Sequence, residues 1–209
     1  MSTPKRILIL SADAGFGHRS AALAIAAALS ETHAAEARVE IVNPLDDPRA
    51  PAVLRNSQAT YDEIVRELPE VQRVGYEAVD KLSALGALER AVTVLLFRVV
   101  YDLLKQHQPD VVVNTYPIYQ APLEAAFTIL KRECPVVTVV TDLATVSRAW
   151  FHEVADLCVV PTERVRAMAL EAKLAPSAVE LIGIPVHPRV AQPAQPPAVL
   201  RAELGWQPE

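Results

Sequence analysis

The stretch 7-ILILSADAGFGHRSAALAIAAAL-29 joins a short apolar run to an alanine-rich helical pattern through a loop holding two glycines and a histidine. Residues 7–10 are continuous in Ile and Leu, the composition of a strand buried on both faces of a parallel sheet. In an open α/β sheet, ligands sit beyond the carboxyl ends of the strands, and the first strand-to-helix turn is the prime position. Gly15 and Gly17, with Phe16 between them, let the backbone bend and come close to a ligand. Backbone N–H groups at the helix start then offer an anion site. The spacing only half-matches a dinucleotide fingerprint, because Glu40 lies inside the second strand and Asn43 follows it. No lysine stands in the phosphate-loop register.

His18 is the informative residue of this loop. At a helix N-terminus the dipole disfavours imidazolium, which keeps the ring neutral and able to accept a proton near pH 7. A histidine at this position can also simply cap or pack the turn. The loop position and the flanking glycines favour a functional reading.

Working outward, similar runs recur at 38-RVEIV-42, 110-DVVVN-114, 136-VVTVVT-141, 156-DLCVV-160 and 179-VELIG-183. Helical patterns fall between them near 18–31, 119–132 and 163–173, with a longer block over about 52–106. This alternation predicts an α/β fold, a Rossmann-like, doubly wound and mainly parallel sheet. Residues 1–184 form the expected domain. From 184-IPVHPRVAQPAQPP-197, prolines crowd the chain, so residues 185–209 read as a stiff linker leading into the start of a further segment.

Composition narrows the function. With 209 residues, 51% apolar and 22% charged, the chain is an ordinary globular one with room for one large core. A net charge of −5 disfavours a nucleic-acid partner held by phosphate attraction. The first apolar run stops after four residues, too short for a signal peptide, and no stretch approaches a membrane span. Cys134 and Cys158 lack metal spacing, which predicts two reduced, buried core thiols, no metal site and a cytoplasmic setting.

Two motifs carry a resemblance. The loop SADAGFGHRSAALAI resembles the Gly-rich loop and following histidine of monogalactosyldiacylglycerol synthases and bacterial diacylglycerol glucosyltransferases. The stretch 138-TVVTDLATVSRAWFH-152, with 156-DLCVVPTERVRAMALEAKLAPSAVELIGIPVHP-188, is similar to that family's Thr-Asp-Leu loop, Trp-Phe pair and Gly-Ile-Pro-Val turn. The likeness covers about 6–42 and 107–206. It departs at Ser147, where the family often has histidine, at Arg148 in place of a common proline, and at His187 in place of a usual arginine.

The resemblance implies the N-terminal, acceptor-binding half of a GT-B glycosyltransferase, with the donor-binding C-terminal domain absent from this chain, which by itself would be inactive. The implied reaction is inverting transfer of a hexose from a UDP-sugar to diacylglycerol, with no cofactor, at the inner face of a membrane to which the protein binds peripherally. Between residues 49 and 101, seven Lys/Arg balance seven Asp/Glu, so no polybasic patch supports docking and it rests on the resemblance. His18 is then the expected base for the acceptor hydroxyl, or its hydrogen-bond partner. Asp142, at the same sheet edge, either orients the imidazole, holds an acceptor hydroxyl or caps the next turn. Trp150 and Phe151 line the acceptor site or belong to the core. Asn114 and Tyr116 face the cleft by position. Two alternatives stay open: a non-catalytic subunit that binds a lipid or protein partner, and a transferase half acting on a polyprenyl-linked acceptor.

Overall fold

Among the described residues, six short apolar strands lie side by side in one fully parallel sheet. The computed structural model describes residues 3–14, 16–50, 55, 85–131, 134–191 and 195–206. Along the chain, β1 (Lys5–Leu10), α1 (Phe16–Thr32), β2 (Ala37–Val42), α2 (Leu85–His107), β3 (Val111–Asn114) and α3 (Gln120–Leu130) come first. Then follow β4 (Val136–Val139), β5 (Leu157–Val160), α4 (Glu163–Glu171), β6 (Val179–Leu181), α5 (Pro188–Ala191) and α6 (Pro197–Glu203). The sheet order is β2-β1-β3-β4-β5-β6. Each predicted strand is present, with only its ends shifted.

Period-two alternation decides which layer each strand residue joins. Leu8, Leu10, Val112 and Val136 turn to one face, where Leu96, Val100 and Leu104 of α2 and Leu123 and Ala126 of α3 cover them. Ile9, Val113, Val139 and Val159 turn to the other, onto Ala22 of α1. Helices on both faces make the sheet doubly wound. Each fully buried Leu or Ile contributes about 1.5–3 kcal/mol, so these two layers supply most of the driving force. The alanines of α1 serve a packing purpose: Ala21, Ala22 and Ala24 are buried, and their small side chains let the helix lie close on the sheet.

A third cluster, Val140, Trp150, Cys158, Val160, Val165 and Ala169, seals the far side under α4. Thr162 starts α4 by accepting the Val165 N–H at 3.2 Å, and Glu163 complements the dipole in the first turn. Both cysteines are buried thiols outside any disulfide, and burial pushes the Cys158 thiol up to about 12. Of the helical block expected over about 52–106, residues 52–54 and 56–84 lie outside the described residues, and α2 packs Leu96, Val100 and Leu104 into the core. Among the described residues no helix is long and apolar enough to cross a membrane.

The proline-rich tail differs from expectation in one place. Pro188–Ala191 forms a single helical turn rather than irregular chain. Proline at the first helical position already has the required φ and lacks an N–H that would be unpaired there.

Candidate functional site

The connections leave β1 for β2 on one side and reach β3 on the other, so the winding reverses between β1 and β3. At such a switch point the loops diverge and leave a crevice beyond the carboxyl ends of the strands. Three segments converge there: the start of α1, residues 114–116 after β3, and residues 141–142 after β4. A fourth, the 3-10 turn Arg148–Trp150, closes in from the side.

His18 sits in the first turn of α1 at the centre of this group. Its Nδ1 lies 2.8 Å from the Thr141 hydroxyl oxygen. The edge of Tyr116 packs against the imidazole with centroids 4.9 Å apart and planes at 73°. Trp150 flanks the ring at 5.9 Å. Burial lowers the His18 pKa below its ordinary 6.5, against the opposing pull of the Asp142 carboxylate and a hydrogen bond to the Thr115 backbone. Desolvation wins, and the ring is neutral at physiological pH.

Asp142 does not bond the imidazole. Its Oδ2 accepts the Trp150 indole N–H at 2.7 Å, and its effect on His18 is through charge. Trp150 is wholly buried, and its backbone carbonyl, with that of Ala149, accepts from the Gln120 side-chain amide. Gln120 is itself buried, and its Oε1 accepts from Thr138 at 3.3 Å. A chain of polar contacts therefore runs from β4 through α3 to the indole that holds Asp142. On the other flank, the Tyr119 hydroxyl lies 3.2 Å from both the Ser11 carbonyl and Asn43 Oδ1, tying α3's approach to the ends of β1 and β2.

The remaining candidates divide. Tyr116 and Trp150 meet at His18, each packed against its ring. Asn114 is wholly buried beneath Tyr116, whose N–H its Oδ1 accepts at 3.2 Å, while its Nδ2 has no hydrogen-bond partner among the described residues. Phe151 packs against the cluster under α4. Phe16, the first residue of α1, is 76% exposed at the helix tip. Gly15 lies outside the described residues. Gly17 belongs to the first turn of α1, and a Cβ added there would meet nothing within 4 Å, so the space beside it is open.

Among the departures from the family pattern, the Ser147 hydroxyl accepts the Ala149 N–H and starts the 3-10 turn, Arg148 is exposed, and His187 Nδ1 accepts the Arg189 N–H.

Thr141 and Gln120 are site residues that sequence reasoning misses. Thr141 carries one signal, its place next to Asp142 at the end of a strand. Gln120 carries none, since an amide among helix formers looks like any surface residue. Among the described residues no group of three His, Cys, Asp or Glu is arranged to hold a metal ion. A cavity of about 320 Å³ lies away from this cluster, at the amino ends of β1 and β2, lined by Arg6, Arg38, Glu40 and His107. Its charged rim is solvent-exposed, with Arg6 and Glu40 side chains at 47% and 62%, and among the described residues no wholly buried polar groups converge on it.

With the His18 loop and the Thr141–Trp150 segment brought together, comparison with known proteins becomes specific. The family model of monogalactosyldiacylglycerol (MGDG) synthase matches residues 18–186. This chain belongs to that family. The MGDG synthase of Spinacia oleracea is 32% identical over 205 residues, covering 97% of this chain and 39% of the spinach protein. The probable MGDG synthase of Glycine max is 31% identical over 204 residues, covering 97% of this chain and 38% of the soybean protein. The chain thus spans about two-fifths of the length of the curated relatives it matches. Among solved structures, the lipopolysaccharide outer core galactosyltransferase WaaB superposes with a TM-score of 0.51 at 12% identity, over 86% of this chain and 45% of WaaB. That likeness concerns the fold alone. Within the MGDG synthase family, the chain corresponds to the N-terminal, Rossmann-like domain of the GT-B fold.

Proposed function

We propose that this chain is the acceptor-binding half of an inverting glycosyltransferase that moves a hexose from a UDP-sugar to diacylglycerol, and that His18 is its base. The observation that carries the reading is a neutral imidazole, half-buried at the switch point of a GT-B domain and held between a threonine hydroxyl and two aromatic rings. The names of the relatives, MGDG synthases, support galactose as the hexose and diacylglycerol as the acceptor. Residues 1–184 bind the acceptor. Residues 185–209 lead toward a second domain that binds the UDP-sugar.

The chemistry is one displacement. The free hydroxyl of diacylglycerol attacks the anomeric carbon from the face opposite the diphosphate. The new C–O bond forms as the bond to UDP breaks, UDP leaves with the electron pair, and the hydroxyl proton passes to His18. A neutral imidazole can take that proton, whereas imidazolium cannot. Asp142 then faces the imidazolium and offsets part of its cost in the buried site. Because diacylglycerol is insoluble, the protein works at a membrane surface, docked peripherally on the cytoplasmic face.

The test is an assay of the polypeptide as its cell makes it, with labelled UDP-galactose or UDP-glucose and diacylglycerol in mixed micelles. Expected is a labelled glycolipid whose anomeric configuration, read by NMR coupling, is inverted from that of the donor. A retained configuration would overturn the mechanism. Transfer only to a polyprenyl-linked acceptor, or no transfer to any lipid, would overturn the substrate assignment.

A further inference from the structure

Among the described side chains around His18, Thr141 is the one hydrogen-bonded to the ring. We propose that Thr141 is the positioning residue of His18: its hydroxyl oxygen accepts the Nδ1 proton, which leaves the Nε2 lone pair for the acceptor hydroxyl. The inference rests on the reading of His18 as base.

Three observations support it. The Nδ1–Oγ1 separation of 2.8 Å is a full hydrogen bond. Thr141 follows directly on β4, whose sheet pairing extends one residue further through the Val140 N–H to the Val159 carbonyl at 2.9 Å. Its β-branched side chain has little rotameric freedom, so the hydroxyl is aimed by a rigid element. Tyr116 and Trp150 touch the imidazole through ring contacts, so Thr141 is the side chain that acts on the tautomer, beside the Thr115 backbone.

The partner's neutrality matters as much as its position. A carboxylate is present next door at Asp142, but its Oδ2 is engaged by the Trp150 indole. A carboxylate directly on Nδ1 would raise the imidazole pKa and favour imidazolium. A hydroxyl that accepts the Nδ1 proton holds it there without adding charge. The groups that face the ring are therefore Asp142 from the β4 loop and Tyr116 and the Thr115 backbone from the β3 loop. On the ring's own segment, Asp13 and Arg19 neutralise each other at 3.1 Å.

The experiment compares the full-length enzyme with its Thr141→Val and Thr141→Ser variants. Valine keeps the shape and deletes the hydroxyl; Thr141→Ala, which introduces nothing larger, carries the same expectation should valine disturb the fold. Histidine ¹⁵N shifts, with His18 assigned by its loss in His18→Gln, report the tautomer independently of activity. Expected are protonated Nδ1 and bare Nε2 in the parent, and a population with protonated Nε2 in Thr141→Val. Loss of one positioning hydrogen bond should lower kcat about tenfold with KM little changed, and serine should restore both tautomer and rate. A parent with protonated Nε2, or a valine variant with unchanged tautomer and rate, would overturn the proposal. If the tautomer responds as expected while His18→Gln keeps full turnover, the base assignment is what has failed. The part played by Thr141 in catalysis then falls with it.

Discussion

Two histidines at opposite ends of the sheet show how little the residue type decides. His107 is the last residue of α2, at the amino ends of the strands, with its Nδ1 2.9 Å from the Glu40 carboxylate. Basic residues suit that end of a helix; the His107 side chain is 12% exposed and that of Glu40 62%, so water screens the pair from the carboxylate's side. His18 stands in the first turn of α1, at the carboxyl ends, where the dipole opposes positive charge. Its partner is a neutral hydroxyl, and the carboxylate nearest in sequence to that partner bonds elsewhere. The amino ends also carry the exposed Arg6–Asp110 pair at 3.5 Å, whereas the carboxyl ends hold the buried groups Asn114, Thr115, Gln120 and Trp150. Polar chemistry at one end is screened by water; at the other it acts in a low-dielectric setting.

Mutation tests the contrast directly. In the full-length enzyme, His18→Ala should lower turnover by about 10²–10⁴-fold, the usual contribution of a positioned base, and His107→Ala should leave it essentially unchanged. Equal losses in a steady-state assay would end the distinction. Next in size is Gln120→Leu, which strands the carbonyls of Ala149 and Trp150 in the core. An unpaired buried polar group costs about 1–3 kcal/mol, to be read from the urea midpoint, and turnover should fall with it as the indole loses its anchor.

Smaller effects concern the electrostatics. Below its ordinary 6.5, His18 takes up a proton in the unfolded chain that the folded protein resists, because burial lowers the folded-state pKa. Stability should therefore fall as pH drops through and below 6.5 toward that lower value, and His18→Gln should flatten this part of the urea-midpoint profile. Asp142→Asn removes the charge that holds the folded-state pKa up while keeping an acceptor for the indole. The acid limb of kcat/KM should then move to lower pH; a shift upward would mean that Asp142 acts on His18 in another way. Smallest of all, Glu40→Gln at the amino ends should change stability by only about 0.2–1 kcal/mol, with no effect on the acid limb.

Much of the fold is legible because it rests on local patterns. Continuous Val, Ile and Leu runs mark the strands, helical stretches between them mark the crossovers, and a parallel, doubly wound sheet follows from that alternation. The tail departs from its pattern at Pro188–Ala191, since a proline count registers breakers without registering that proline starts a helical turn well. Of the site, His18 is legible from its loop, and Asp142 from its place at a strand end. How the two relate is not. His18 and Thr141 are 123 residues apart, and nothing local says that a threonine will face one histidine rather than another. Trp150 reads from sequence as core more than as site, and the structure buries it with its N–H on Asp142 and its ring beside His18.

Neighbouring residues and their spacing suffice for the parallel α/β architecture, for the loop that opens on His18 and for the family likeness, because each is written locally along the chain. They leave open that Thr141 takes the imidazole, that Asp142 takes the indole, and that Gln120 holds the backbone carbonyls of Ala149 and Trp150 from within. Those pairings were settled only when the chain folded. The reason is physical: hydrogen-bond partners and desolvation are set by where separate strands end in space. The order β2-β1-β3-β4 brings the start of α1 and the end of β4 to one crevice.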